Sequence, residues 1–241
     1  MGRYLFVFNV VGLSPAHLEN PEGLSAFSEL IRTGRKAAMK PVFPCLTIPG
    51  QASLATGTYP SQHGMVANGL FDRDRFEVSF WDQYRSLLQA EPFWERVKKT
   101  NPDLKTAVLF WQNTLYGKAD IIITPKPMHT EHRMIQWCYS KPVGLYEAVA
   151  EEIGPFNLMH YWGPMASAES AKWITRAAIS ALRKHRPNLM LTYLPLLDYS
   201  AQRFGPSSTE VMADLKTVDG LIGEFLEELN RLGIRQASTV A

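Results

Sequence analysis

The chain has 241 residues, with 46% hydrophobic and 20% charged side chains, a composition typical of a single globular α/β domain. Its formal net charge of +2 gives no reason to expect a nucleic acid polymer or an anionic membrane as partner. Two cysteines, Cys45 and Cys138, exclude a disulfide framework and a paired-cysteine metal site. The apolar start from Tyr4 to Leu13 is typical of a strand rather than a signal peptide, and no apolar run reaches the roughly 18 residues that span a bilayer. We therefore expect a cytoplasmic protein with one domain over residues 1–241.

Apolar runs that alternate with helix-like patterns predict the secondary structure. The predicted strands are, in chain order, Tyr4–Val11, Thr106–Trp111, Asn188–Leu194 and the weaker Ile234–Val240. The predicted helices run from Pro92 through Val97, from Pro142 through Val149, from Ser167 through Leu182, and from a capping box of Ser207 and Glu210 through Leu229. This alternation indicates a mostly parallel sheet with helices on both faces.

Two strand ends and two irregular segments complete this outline. Ligands bind beyond the carboxyl ends of strands in such sheets, so Val11 and Leu194 mark the places where function is expected. The segments Phe71–Trp81 and Pro125–Met128 are expected to be irregular surface structure.

One short segment places a hydroxyl group at the start of a predicted helix. Pro49 suits the first position of a helix, where its missing N–H is harmless, and Gly57 suits the residue just past a helix end. Thr47 would then lie at the amino-terminal end, where free N–H groups and the helix dipole attract phosphate oxygens.

The segment Pro41–Asp72 resembles the nucleophile region of the type I phosphodiesterase/nucleotide pyrophosphatase family, within the alkaline phosphatase superfamily. Thr47 falls on the family's threonine nucleophile. The other residues at the family's spacing are Thr56-Gly57, Pro60, His63-Gly64, Asn68 and Asp72. The resemblance implies an alkaline phosphatase-like fold, in-line attack on a phosphodiester or pyrophosphate, and a covalent threonyl-phosphate intermediate.

The same resemblance assigns roles within this segment. Asn68 matches an asparagine that donates a hydrogen bond to a phosphate oxygen, whereas His63 does not match a metal ligand and fits a structural role. The family activates its threonine with two bound divalent metal ions, usually zinc. Two alternatives stay open on the residues alone: Thr47 as a helix cap without chemistry and Asn68 as a turn residue before Gly69.

A second block, Thr192–Pro206, resembles the family's metal-binding strand end. Asp198 matches a metal-binding aspartate, and Tyr193 matches a tyrosine that lies against the base in nucleotide-cleaving relatives. A buried strand tyrosine remains the alternative for Tyr193, and a capping aspartate the alternative for Asp198. The family's histidine ligand four residues after the aspartate is replaced by Gln202.

Three departures from the family pattern change the expected site, two of them at metal-ligand positions. Val11 stands where the family has a metal-binding aspartate, and Asn9 could be at best a weak oxygen ligand. Glutamine at position 202 is a poor ligand for zinc but acceptable to magnesium, manganese or calcium. Ile48 replaces an aromatic residue that helps to hold a nucleotide base. The family's remaining ligands belong to sequence after Ala241, so the resemblance also implies a domain that is incomplete at its C-terminus.

The sequence therefore predicts a metal-dependent phosphoric ester hydrolase that acts on a small phosphate ester. Its catalytic residues would be Thr47 and Asn68, its substrate-binding residue Tyr193, and its metal ligands Asp198 and Gln202. The alternative is a catalytically silent member of the same fold that binds a ligand or partner without turnover.

Overall fold

A computed structural model describes residues 4–241, apart from the side chain of His129. The helices are α1 (Ser25–Thr33), α2 (Thr47–Thr56), α3 (Pro60–His63), α4 (Phe93–Thr100), α5 (Leu145–Ile153), α6 (Ala168–His185), α7 (Leu196–Phe204) and α8 (Thr209–Arg231). The strands are β1 (Tyr4–Val10), β2 (Gly69–Asp72), β3 (Glu77–Phe80), β4 (Thr106–Leu109), β5 (Ile121–Pro125), β6 (Met128–His129), β7 (Met134–Ile135), β8 (Cys138–Lys141), β9 (Leu189–Leu194) and β10 (Ser238–Val240). The chain divides into two compact units: the first contains residues up to Ala38 and Glu147–Ala241, and the second contains Met39–Tyr146.

The first unit is built around three parallel strands. β1 lies between β10 and β9 and pairs in parallel with both. The apolar faces of α6 and α8 are buried, and Phe225 of α8 packs edge-on against Phe6 and Phe8 of β1. This aromatic contact anchors the long C-terminal helix on the central strand.

A buried aspartate joins two helices of this unit. The residue before α1 is Leu24, which has no side-chain acceptor for the free N–H groups of the first turn. Asp219, from the middle of α8, accepts hydrogen bonds from the N–H groups of Ala26 at 3.3 Å and Phe27 at 2.8 Å. The cap of α1 is therefore supplied from more than 190 residues away in the sequence.

The second unit combines parallel and antiparallel strands. β4 and β5 are parallel, and β8 pairs antiparallel with β5. β2 and β3 form an exposed antiparallel hairpin, and β6 and β7 form a smaller one. The strands β4 and β5 are fully buried, as expected of strands covered on both faces.

The predicted mostly parallel sheet is confirmed: outside the two small hairpins, the described pairs β1–β10, β1–β9 and β4–β5 are parallel and β5–β8 is antiparallel. The predicted boundaries differ in places. The weak strand at Ile234–Val240 is a short 3-10 turn followed by β10, and the cap of α8 is Ser208 rather than Ser207, with its hydroxyl accepting from Val211 N–H. The segment Phe71–Trp81, expected to be irregular, contains most of the β2–β3 hairpin. Among the described residues, no helix is long and apolar enough to cross a membrane.

Candidate functional site

The helix predicted around Thr47 forms, but it begins earlier than expected. α2 starts at Thr47 itself, so Pro49 is its third residue rather than its first. Proline is harmless there as well, because the N–H groups of the first turn have no partner within the helix. The helix ends as predicted, with Gly57 in the left-handed region at φ 69°.

At the N-terminus of α2, the N–H groups of Ile48 and Gly50 already donate to protein oxygens, and Pro49 has no N–H. The N–H and the hydroxyl of Thr47 are the groups left for an anion. The preceding residue, Leu46, has an extended backbone and no capping side chain, and the first turn contains no acidic residue. Thr47 is half-buried, and its hydroxyl has no hydrogen-bond partner among the described residues. The hydroxyl is therefore not sealed in the interior, and the helix dipole favours negative charge beside it.

Asn68 completes this helix end from the side. Its Oδ1 accepts a hydrogen bond from the N–H of Ile48 at 3.0 Å, and its backbone oxygen accepts from Trp81 N–H at 2.9 Å. Because the oxygen of the amide faces α2, the orientation of the side chain is fixed and the Nδ2 donor group points away from that bond. In the described part of the chain this donor has no protein partner. The structure therefore brings Asn68 beside Thr47 and adds a capping role that the sequence did not reveal.

Two side chains fix the position of α2. Gln51, almost fully buried, accepts a hydrogen bond from Gln112 N–H at 2.8 Å, and its carbonyl accepts from the indole of Trp111 at 3.3 Å. Both partners follow β4 closely, so the first turns of α2 lie at the carboxyl end of that strand. Ile48 packs with Ala52 in a buried cluster instead of facing a ligand. The role of Gln51 is therefore to position the helix.

His63 has the structural role that the sequence favoured. Its ring is fully buried, and its Nδ1 accepts a hydrogen bond from Met65 N–H at 3.1 Å. The proton must then be on Nε2, which donates to Ser53 Oγ at 2.9 Å. Burial lowers the pKa of the His63 imidazole, so the ring is neutral and ties α2 to α3.

The predicted metal ligands lie together in the first unit, on one face of α7. Asp198 is the third residue of α7, and β9 has already ended at Leu194, so the aspartate does not close the strand as expected. Gln202 donates through Nε2 to Asp198 Oδ2 at 2.6 Å. Burial raises the pKa of the Asp198 carboxyl, and the hydrogen bond from Gln202 opposes that shift.

These residues do not fit a zinc site. Val11, at the end of β1, adds only an apolar side chain, and its N–H is used by the carbonyl of Leu194 at 3.1 Å. Gln202 presents a donor, not an acceptor, to the carboxylate that it contacts. Within residues 4–241, no group of three or more His, Cys, Asp or Glu side chains could hold a metal ion.

Tyr193 lies in the interior of the first unit. Its side chain is 5% exposed, and its ring packs edge-on against Tyr161 with centroids 6.4 Å apart. A ring in this position cannot stack on a nucleotide base unless the surrounding packing opens. The alternative that the sequence left for Tyr193, a tyrosine buried in its strand, is the one observed.

Two cavities of the first unit, of about 210 and 380 Å³, contain none of the predicted site residues. The smaller cavity is lined mainly by α6 and by the segment between α5 and α6, and the larger one mainly by charged side chains of α5, α6 and α8.

Comparison with known families decides the classification. The family model for type I phosphodiesterase/nucleotide pyrophosphatase matches residues 5–241. The chain belongs to this family. Members of the family at 24% identity include an uncharacterised pyrophosphatase/phosphodiesterase of Schizosaccharomyces pombe and human ectonucleotide pyrophosphatase/phosphodiesterase family member 1. The first match covers 80% of the chain and 34% of the relative, and the second covers 95% and 22%. This family member thus spans about a third or less of the curated relatives that it matches.

Solved structures show that the fold is alkaline phosphatase-like, as the resemblance implied. Phosphonoacetate hydrolase from Sinorhizobium meliloti is similar with a TM-score of 0.64 at 20% identity, covering 96% of the chain and 54% of that protein. Murine ectonucleotide pyrophosphatase/phosphodiesterase 5 is similar with a TM-score of 0.62 at 18% identity, covering 98% and 55%.

Proposed function

We propose that the second unit carries the phosphoryl-binding site of a phosphoric ester hydrolase, with Thr47 as nucleophile. One observation supports this most strongly: the Asn68 amide is held by Ile48 N–H at 3.0 Å, so that its donor group is oriented beside the first turn of α2. A hydroxyl, a helix N-terminus and an oriented amide donor are the groups that binding of a phosphoryl oxygen requires.

In the proposed reaction each of these groups has one task. The N-terminus of α2 holds the anionic phosphoryl group, and Thr47 Oγ1 attacks phosphorus from the side opposite the leaving oxygen. The bond to the leaving group breaks as the new P–O bond forms, the hydroxyl proton passes to solvent water, and the leaving oxygen takes a proton from solvent. Asn68 Nδ2 donates to the oxygen on which charge increases. Water then cleaves the threonyl-phosphate ester and restores the Thr47 hydroxyl. A solved structure of the murine relative describes an inactive threonine-to-alanine variant in complex with AMP, which supports a threonine-dependent reaction in the family.

A divalent metal ion, zinc or else magnesium, manganese or calcium, belongs to this proposal as the family's usual activator. Asp198 and Gln202 are the oxygen-bearing side chains that would contribute to its site. Because the described residues do not fit zinc, the reaction steps above involve only Thr47, Asn68 and the helix end.

Hydrolysis of a chromogenic phosphodiester tests the proposal. We expect turnover by the purified chain with one of the four metals and loss of turnover in Thr47→Ala. Thr47→Ser, which keeps a hydroxyl, should retain part of the activity, and Leu54→Ala, on the exposed face of the same helix, should retain all of it. Turnover in Thr47→Ala equal to that of the unchanged chain would contradict the role of this residue.

The second candidate function is ligand binding without turnover. Val11 and the lack of a three-ligand metal group in the described residues favour it, because an unactivated threonine hydroxyl is a weak nucleophile. Calorimetric titration with inorganic phosphate discriminates between the two functions. Binding that Asn68→Ala weakens, without hydrolysis under any of the four metals, would identify the silent member.

Three further predictions belong to the same proposal: a single domain over residues 1–241, a small phosphate ester as ligand, and a cytoplasmic location. Free thiols at the exposed Cys45 and the buried Cys138 are consistent with a reducing compartment. Fractionation of cells that express the tagged chain tests the location.

A further inference from the structure

The β2–β3 hairpin has an inner face that is fixed on the second unit. Successive residues of a strand point to opposite faces, and directly opposed residues of two paired strands share a face. Leu70 of β2 packs against a buried cluster that contains Ile48 and Ala52 of α2 together with Met65. The face that carries Leu70 is therefore covered, and the opposite face of the hairpin points away from this cluster.

The opposite face is apolar and exposed, and we name its four residues Phe71, Phe76, Val78 and Phe80 the hairpin face. Phe71 lies directly opposite Val78, and the ring of Phe76 meets that of Phe71 edge-on with centroids 6.1 Å apart. The exposed fractions of the four residues are, in chain order, 54, 83, 51 and 69%. Packing within the chain thus leaves most of this apolar surface uncovered.

A glycine shapes the hairpin face. Gly69 lies directly opposite Phe80, and a Cβ atom at Gly69 would be 2.7 Å from Cδ1 of Phe80 and 3.1 Å from Cγ1 of Val78. The ring of Phe80 therefore lies across the backbone of Gly69, where any larger residue would displace it. A ring that is already held in place loses little conformational freedom when a partner covers it.

The free edge of β3 has none of the usual protection against pairing with another chain. Among the described strands, β3 pairs only with β2. Natural proteins protect such edges with lysine, with proline or with inward-pointing charges. β3 contains no lysine or proline, and Glu77 is its only charged residue. An unprotected edge beside an exposed apolar face is typical of a surface that another protein chain covers.

The size of the hairpin face matches one side of a small dimer interface. The exposed parts of its three phenylalanines equal about two whole side chains, or roughly 400 Å² at about 200 Å² each, and Val78 adds to this area. The largest apolar patch of a monomer is usually about 300–600 Å² and is often functional. Two such faces that cover each other remove about 1,000 Å² from water, which is roughly the smallest area of a specific interface.

The charges of the chain favour a second copy as the covering partner. None of the four residues of the hairpin face is charged, so the face offers nothing that would select a charged partner. The formal net charge of +2 on 241 residues causes little repulsion between two copies. A face of this kind can pack on its own copy about a two-fold axis, as in most homodimers.

We propose that the hairpin face is the contact surface of a homodimer, in which two β2–β3 hairpins pack face to face about a two-fold axis. This inference goes beyond the proposed function and does not depend on it, because it uses neither Thr47 nor Asn68.

Analytical ultracentrifugation of the purified chain tests the inference. Over protein concentrations from roughly 1 µM to 1 mM, which cover the dissociation constants of weak complexes, the mass should rise from the 27.2 kDa of one chain towards twice that value. Val78→Lys places a charge within the face and should keep the mass of one chain throughout. The matched control is Val143→Lys, at a 98% exposed valine of the same unit outside the hairpin face, and it should dimerise like the unchanged chain.

A second variant does not depend on the tolerance of β3 for lysine. Phe76→Asn removes the most exposed ring of the face at φ 54° and keeps a residue that tolerates positive φ. It should weaken the dimer by about tenfold or more, because each copy loses the burial of one phenylalanine. Circular dichroism in dilute solution should show the same fold in all variants, and Phe76→Asn decides the test if Val78→Lys does not fold.

Three results would overturn the homodimer. The mass of one chain at every concentration would leave the hairpin face to a different protein. Dimerisation that survives unchanged in Val78→Lys and Phe76→Asn, or that Val143→Lys also abolishes, would place the contact elsewhere. A mass that grows beyond two chains would indicate open association through strand edges instead of a closed two-fold contact.

Discussion

Substitution of Asn68 separates its two roles in a single experiment. The oxygen of its side chain caps α2 through Ile48 N–H, and the nitrogen is the proposed phosphate donor. Asn68→Ala removes both atoms, and loss of a helix cap costs about 1 kcal/mol. In a chain of 241 residues, that loss lowers the unfolding midpoint by roughly 2–4 °C. Asn68→Asp keeps an acceptor for Ile48 N–H and adds negative charge at a helix N-terminus, which stabilises by about 0.3–1 kcal/mol.

Hydrolytic activity, unlike stability, should fall in both variants. Both variants lose the donor, and removal of one donor to a developing oxyanion lowers kcat by roughly 10²- to 10³-fold. Thermal unfolding followed by circular dichroism, together with phosphodiester hydrolysis, measures the two effects on the same samples. An unfolding midpoint of Asn68→Asp below that of Asn68→Ala would contradict the capping role, because the cap would then not come from Oδ1. Activity of Asn68→Asp close to that of the unchanged chain would refute the donor role.

Two predictions concern stability. Asp219→Ala should cost about 1–2 kcal/mol, because it leaves the first N–H groups of α1 without a cap. An unfolding midpoint equal to that of the unchanged chain would contradict this role, and Glu224→Ala, at an exposed position of the same helix, is the control. The buried His63 should make the chain less stable as the pH falls below about 6.5, since the unfolded chain then binds a proton that the folded one resists. Above that pH its contribution is constant. Unfolding midpoints between pH 5 and 8 should show a slope that His63→Gln reduces, and an unchanged slope would argue against the buried neutral ring.

The features of the site that depend on local sequence signals were predicted better than those that depend on contacts between distant residues. Gly57 marks the end of α2 because a left-handed residue is needed there whatever surrounds it. The start of α2 that was predicted from Pro49 is two residues too late, because proline is tolerated throughout the first turn and does not identify a single position. Ser207 and Ser208 are likewise both good caps, and tertiary packing chose between them.

The rest depended on partners far apart in the sequence. The cap of α2 by Asn68 and the cap of α1 by Asp219 join residues 20 and more than 190 positions apart, so neither follows from a local pattern. The β2–β3 hairpin was missed because its four-residue turn, residues 73–76, lacks the glycine or asparagine that is usual in such turns, and Phe76 takes the left-handed conformation instead. Left-handed Tyr116 was also unpredictable, since only the surrounding loops force a tyrosine into that region.

The β2–β3 hairpin offers a way to detect ligand binding without measuring hydrolysis. Its turn is exposed and stabilised by the carboxylate of Asp72, which accepts from the N–H groups of Asp74 and Arg75. From there the ladder runs without interruption to the bond between Trp81 and Asn68. The mobility of a spin label attached at position 74 is thus coupled through the hairpin to the backbone of Asn68, whose side-chain amide would hold a phosphate. Its tumbling rate would serve as an indicator of occupancy, readable even for compounds that the protein never cleaves.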